Sequence, residues 1–340
     1  MAHGSKSEPS AARVPREVAH SGAKLPDMAE SVVLDGLDRG LLHALQLDGR
    51  IPFARVAEVL GVSETTVARR YKRLRAMAGL RVVGAVNGVL FGRSAWTLRL
   101  RCTPDVALPL AKALAKRPDV SWVHVMSGGA EISCHAQLPP GEEILLLEKL
   151  PRSGRVLGVS AHSVLSAFSL PSDWSGLRFL GEEQVSRLRP PESSVARVEV
   201  DGADQALLEL LAGDGRMPYA ELAGRTKLGE STVRRRLDIL RHNGVVSYQV
   251  DIPAAVLGFG TQARLWMTVP PHALTEVGRR LAEHEETSFV AATTGPTNLV
   301  AVVACRDSGE FYRYLTERVG ALRKITSLET AVLMRTVKQG

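Results

Sequence analysis

The sequence predicts an α+β chain in which one two-part unit occurs twice, each unit a bundle of three short helices followed by a βαββαβ sandwich. Three observations carry that expectation: a long internal repeat, a change of hydrophobic period within each copy, and glycine or proline where the period changes. Asp35 to Arg75 aligns without a gap on Asp201 to Arg241, a spacing of 166 residues, with 19 of 41 positions identical. The matches include Leu41/Leu207, Leu42/Leu208, Leu45/Leu211, Asp48-Gly49-Arg50 against Asp214-Gly215-Arg216, and Arg69-Arg70 against Arg235-Arg236. Solenoid repeats run at roughly 20 to 50 residues, so a spacing this long marks a duplicated module.

The chain has 340 residues, 45% hydrophobic and 23% charged, which is apolar material for several cores. Residues 1–31, rich in Ser, Pro and Ala, read as a disordered tail. The first three-helix unit is expected at 32–84 and the first sandwich at 92–168. A linker with Pro171, Pro190 and Pro191 follows at 169–197, then the second helical unit at 198–250 and the second sandwich at 258–338. No run of eighteen apolar residues and no basic-then-apolar leader is visible, so neither membrane insertion nor export is expected and the chain reads as cytoplasmic. Cys102, Cys134 and Cys305 lie in apolar alternating runs without a CxxC pair and read as reduced core thiols.

In the first helical unit Leu37, Leu41, Leu42 and Leu45 recur at helical spacing over Asp38 to Gln46, and Gly49 follows as a stop. Pro52 suits the first turn of a second helix carrying Val56, Val59 and Leu60. Gly61-Val62 then makes a tight turn, and Ser63 caps a third helix with Val67, Tyr71 and Leu74 facing inward. A short apolar second helix, a glycine turn and a basic third helix are the order of a helix-turn-helix. Gly79 to Val83 and Gly244 to Tyr248 read as a helix cap running into a strand, a small wing or connector.

The alternating runs that follow give the sandwich. In the first copy the order is strand Ala95 to Arg101, helix Val106 to Lys116, strands Val120 to Met126 and Glu131 to Gln137, helix Glu142 to Leu150 and strand Val156 to Leu165. In the second it is Ala263 to Val269, Leu274 to His284, Thr287 to Thr293, Leu299 to Cys305, Gly309 to Val319 and Ile325 to Leu333. That order is ferredoxin-like.

The formal net charge is +7, compatible with a polyanionic partner, and its placement sharpens the point. Ser63 to Arg75 holds five basic residues and one acid; Glu230 to His242 holds four and two, so the second helix should hold phosphate less firmly. Hydroxyls near a helix start can approach base edges, and arginines beyond them can reach phosphates or guanine. The candidates for contact with double-stranded DNA are Ser63, Thr65, Thr66, Arg69, Arg70, Lys72 and Arg73, and in the second copy Ser231, Thr232, Arg234, Arg235, Arg236 and Arg241. Each sandwich also has a polar, glycine-bearing turn between its second and third strands, where backbone can approach a small ligand. The candidates there are Ser127, Gly128, Gly129 and Glu131, and Thr294, Gly295, Thr297 and Asn298, although a plain hairpin turn is the better account of the spacing alone.

The string Asp35-x-Leu37-Asp38-x-x-Leu41-Leu42-x-x-Leu45-Gln46-x-Asp48-Gly49-Arg50, the helix-turn-helix after it and the βαββαβ order together resemble the Lrp/AsnC, or feast-famine, family of transcriptional regulators, twice over between about 33 and 338. The resemblance implies sequence-specific DNA binding, an amino acid or related metabolite as effector near the glycine turns, and homo-oligomers built through the sandwiches. The family's turn reads Gly-x-Tyr/Phe-Asp; here Glu131 and Asn298 hold the acidic place, and Ala130 and Thr297 the aromatic one.

Siroheme decarboxylases resemble the same family and also occur as fused pairs, which makes an enzyme the alternative reading. His124 and His135 are the nearest proton-handling candidates. The His-Asn-Tyr and Tyr-Asn-x-Trp strings of those enzymes are replaced here by Val123-His124-Val125 and Ala130-Glu131-Ile132. With no phosphate-cradling glycine loop, no metal-spaced cluster and no nucleophile elbow, the sequence reading is of a regulator with no catalytic residues, no metal and no cofactor.

Overall fold

The computed structural model describes residues 33–139, 141, 154–190 and 199–339. The expected tail at 1–31 and the expected helix Glu142 to Leu150 lie outside them.

The first helical unit comprises α1 (Gly36–Leu47), α2 (Phe53–Leu60) and α3 (Glu64–Met77). Asp35 caps α1 through a reciprocal box with Asp38, Gly61 turns the chain at φ 67°, and the Ser63 side chain accepts from the Thr66 N–H to start α3. Leu41, Leu42, Leu45, Val56, Val67 and Leu74 form the core between them, each 1% exposed or less.

A strand β1 (Arg81–Val86) follows, and then the first sandwich: β2 (Ser94–Cys102), α4 (Pro104–Ala115), β3 (Val120–Met126), β4 (Glu131–Leu138) and β5 (Val156–Ser169). After it come two single helical turns at Pro171–Asp173 and Ser175–Leu177, and α5 (Glu182–Leu188). This stretch is fastened to the first helical unit: His43 Nδ1 accepts from the N–H groups of Phe179 (3.1 Å) and Leu180 (2.9 Å), and Gln46 donates to the Trp174 carbonyl.

The second copy repeats the order with α6 (Gly202–Gly213), α7 (Tyr219–Thr226), α8 (Glu230–His242), β6 (Val246–Asp251), β7 (Thr261–Thr268), α9 (Leu274–Ala282), β8 (Thr287–Thr293), β9 (Leu299–Cys305), α10 (Ser308–Arg313, continued as a π-helical stretch to Val319) and β10 (Ser327–Lys338). Its turn before the third helix places Lys227, a non-glycine residue, at φ 56°, and Gly229 stands at the cap of α8 with no side chain to accept a bond.

The two copies are joined at both levels. β1 does not fold back as a wing on its own unit; it pairs antiparallel with β6 over Arg81 to Val86 against Asp251 to Val246, so one two-stranded ribbon is built from both copies. Below it, each sandwich sheet lends its last strand to the other. β5 pairs with β2 up to Ser163 and then with β8 from Val164; β10 pairs with β7 up to Val332 and then with β3 from Leu333. The eight strands close a barrel in the order β10-β3-β4-β2-β5-β8-β9-β7. Strand alternation gives each sheet two faces. One packs on the helices, as Leu98, Leu100, Ile132, Cys134 and Val125 pack around Ala111 and Leu114, and as Leu265, Met267, Leu299 and Val303 pack around Val277 and Leu281. The other faces the barrel interior. Among the described residues no helix is long and apolar enough to cross a membrane.

Candidate nucleic-acid interface and effector turns

The third helices divide their basic residues between two jobs. Arg70 meets Asp35 at 2.5 Å and Asp38 at 3.4 Å, Arg73 also bonds Asp38, and Asp38 is wholly buried. Arg236 repeats the arrangement with Asp201 and Asp204, both at 2.9 Å. These arginines therefore tie α3 and α8 to the capped starts of α1 and α6; the bonds to Asp35 hold the Arg70 guanidinium above its usual range. Arg241 reaches across to Asp48 of the other copy at 2.7 Å, and Arg234 pairs one turn back with Glu230 at 3.4 Å. What stays exposed and outside any ion pair among the described residues is Arg69 and Lys72 on α3 and Arg235 on α8. Ser63, Thr65 and Thr66 share hydroxyl bonds of 2.8 Å at the start of α3. On α8, Ser231, Arg234, Arg235 and Ile239 line one shallow groove, and Thr232 sits half-buried beside it.

A cluster the sequence reading passed over sets the relation between the two helical units. In the sequence Gly49 marks a helix stop and the repeated Asp-Gly-Arg string marks the duplication, but neither assigns its arginines a contact. Arg50 donates to the carbonyls of Gly215 (2.8 Å) and Met217 (3.0 Å), while Arg216 donates to those of Gly49 (2.7 Å) and Ile51 (3.0 Å). Each guanidinium also lies over aromatic rings, Arg50 over Tyr219 at 4.6 Å and Arg216 over Phe53 at 4.3 Å. Arg75 to Asp214 and Arg241 to Asp48 complete the reciprocal set. Glycine is needed here by contact: a Cβ on Gly215 would lie 2.9 Å from the Val83 backbone. The signal was present in the sequence as identity between copies in a loop, where packing of a helix core cannot explain it.

The two candidate effector turns are unlike each other. Ser127, Gly128 and Gly129 have φ of 52°, 68° and 91°, and Ser127 and Gly128 are exposed. Glu131 turns away from them into the barrel, where it is buried and meets Arg99 at 2.9 Å. In the second copy the Thr294 hydroxyl accepts from Ser163 N–H, and the Asn298 amide spans the N–H and carbonyl of Val269. Thr297 is buried, and Gly295, at φ 99°, sits against His162. The polar side chains named for the second turn are thus spent on holding it to β5 and β7.

His124 and His135 face the barrel interior. Burial, with Arg264 nearby, pushes His124 down to about 3 and His135 to about 4, so both imidazoles are neutral at pH 7.

Fold and site together define a class: a tandem helix-turn-helix protein whose two helical units are locked to each other and whose two sandwiches close on one another. Residues 34–75 and 200–241 match the AsnC-type helix-turn-helix domain, and 262–340 the Lrp/AsnC ligand binding domain. The chain is 32% identical over 145 residues to an uncharacterized HTH-type transcriptional regulator of Pyrococcus horikoshii, covering 42% of this chain and 92% of that protein. It is 28% identical to the HTH-type transcriptional regulator FL11 of the same organism, covering 42% and 95%. The chain belongs to the Lrp/AsnC family.

Among solved structures, the siroheme decarboxylase NirDL is similar over 90% of this chain and 93% of its own, with a TM-score of 0.61 and 16% identity. That likeness is one of fold, and it corrects the expectation that the chain is not an enzyme: the same tandem architecture is that of a decarboxylase, so its shape gives no ground for excluding catalysis.

Proposed function

We propose that this chain is a transcriptional regulator of the Lrp/AsnC type that binds an asymmetric double-stranded DNA site through two unlike recognition helices. The observation that carries this reading is the division of labour on α3 and α8. Arg70, Arg73 and Arg236 anchor the helices from behind, leaving the hydroxyls at Ser63, Thr65, Thr66, Ser231 and Thr232 and the cations Arg69, Lys72 and Arg235 facing outward. With three free cations the log-log salt slope of binding is about −3. The two half-sites contribute unequally, because α3 presents Arg69 and Lys72 where α8 presents Arg235 beside Asp238. The effector is a small metabolite of the amino-acid class sensed by the sandwiches, with the open Ser127-Gly128 turn as its approach, and chains assemble through those sandwiches.

The test is a titration of the purified chain against its own upstream DNA and a scrambled fragment at two salt concentrations, with an Arg69→Ala/Lys72→Ala variant. Preference for the upstream fragment, lost in the variant while the thermal melt is unchanged, supports the reading. Absence of salt-dependent binding to either fragment sinks it.

A further inference from the structure

One segment breaks the symmetry of the duplication. Residues 170–189 pack on the first helical unit at one end and on the second sandwich at the other. On the helical unit, His43 Nδ1 accepts from the N–H groups of both Phe179 and Leu180, and the Gln184 amide donates to the Val59 carbonyl at 3.2 Å. Leu180 and Leu188 are buried, and Leu180 lies so near Gly40 of α1 that an added Cβ would meet it at 3.4 Å. Burial, with Arg178 nearby, holds His43 below its usual range, so the imidazole is neutral at pH 7 and its Nδ1 can accept.

At the other end the Trp174 indole N–H donates to the Glu285 carbonyl at 3.1 Å, and its ring meets that of Phe259 at 5.0 Å between centroids. Glu285 lies in the turn between α9 and β8. The Trp174 carbonyl accepts from Gln46 of α1 at 2.7 Å. One buried residue therefore carries both connections, its indole to the second sandwich and its carbonyl to the first helical unit. The second helical unit offers no such grip. At the 166-residue spacing His43, Gln46 and Val59 become Glu209, Ala212 and Arg225, all three exposed.

We propose that residues 170–189 are a coupling strap through which the second sandwich biases the packing of the first helical unit and not that of the second. Arg50 and Arg216 fix the two helical units to each other, so a shift of the α9–β8 turn is taken up inside the first unit, at α1. The third helix rides on α1 through the bonds of Arg70 and Arg73 to Asp38. Such coupling is reciprocal: what loosens one end of the strap loosens the other. The coupling is independent of what α3 binds; that a ligand of the second sandwich is felt first at the α3 half-site rests on the proposed function.

Hydrogen–deuterium exchange of the full-length chain, read by mass spectrometry, tests the strap from both ends. Trp174→Phe keeps an aromatic ring beside Phe259 and removes the indole bond to Glu285. The α1 amides should then exchange about three- to tenfold faster while those of α6 are unchanged. His43→Leu removes the acceptor of Phe179 and Leu180. The amides of the turn at 283–287 should speed up by a similar factor, while the matching turn of the first sandwich at 116–120 is unchanged. Global unfolding would accelerate both members of each pair alike, so α6 and the first turn are internal controls. If His43→Leu does not fold, the Trp174→Phe arm decides by itself. Wild-type exchange of α1 in Trp174→Phe, equal acceleration of α1 and α6, or wild-type exchange of the 283–287 turn in folded His43→Leu would each overturn the strap.

Discussion

The duplicated chain has kept its symmetry at one joint and lost it at the other. Between the helical units the main contacts are mirrored: Arg50 and Arg216 exchange carbonyls, Arg75 and Arg241 exchange aspartates, and β1 pairs with β6. Inside the barrel the two walls have diverged, with Thr97, His124, Ser133 and His135 on one and Trp266, Ala291 and Val300 on the other. A joint that fixes the relation of two recognition helices works only if both halves fit, so a change on one side is felt on the other. An interior wall needs only to be filled, and one copy can change while the other supplies the packing.

The largest effect should come from the joint. Arg216→Ala removes two charge-assisted bonds and the stacking over Phe53 and Tyr71, and should cost about 3 kcal/mol in a urea melt. Arg50→Ala should cost a similar amount; a cost several-fold smaller would break the claimed symmetry.

Joint and barrel should also respond to pH with opposite sign. Burial raises Asp251 of β6 from 3.8 to about 6, so the folded chain binds the extra proton between those values and the joint loses stability as pH rises through that window. Asp251→Asn should therefore match wild type near pH 4 and exceed it by roughly 2 kcal/mol at pH 7. His124 and His135 titrate in the folded state far below 6.5, so the unfolded chain takes their protons first and the barrel loses stability as pH falls below 6.5. Melts of His135→Gln across pH 4 to 7 should show a shallower acid limb than wild type.

Smaller again is Gly215→Ala, whose Cβ must displace the Val83 backbone; a loss of about 1 to 2 kcal/mol is expected by chemical denaturation. The least effect on folding belongs to Arg69→Ala, which should leave the melt untouched, weaken DNA binding by about tenfold and reduce the salt slope by about 1. Arg73→Ala should do the reverse, costing about 1 kcal/mol of stability through the loss of its bond to buried Asp38.

Much of this was legible in the chain itself. The strands Val120–Met126, Thr287–Thr293 and Leu299–Cys305 fall where alternation placed them, and Ser63 caps α3 as its residue type requires. The site was legible only in outline. Arg69 and Arg70 are adjacent and alike in sequence, yet one faces solvent and the other Asp35, a difference set by a helix packed alongside. Glu131 and Asn298 hold the turn's acidic place by alignment, but strand direction turns the first into the barrel and a neighbouring backbone claims the second.

What the sequence determined by itself is local and periodic: helix, strand, cap, the duplication, and the family these imply. Each follows from interactions within a few residues or from a pattern repeated along the chain. What only the tertiary structure decided is which copy completes which. That β1 pairs with β6 and not with its own unit, that β5 and β10 cross between sheets, and that Arg264 stands against Ser133 of the other copy depend on residues about 120 to 215 positions apart. No short-range preference can specify such partners; they are selected by burying the open faces and edges that each half, folded alone, would leave to water.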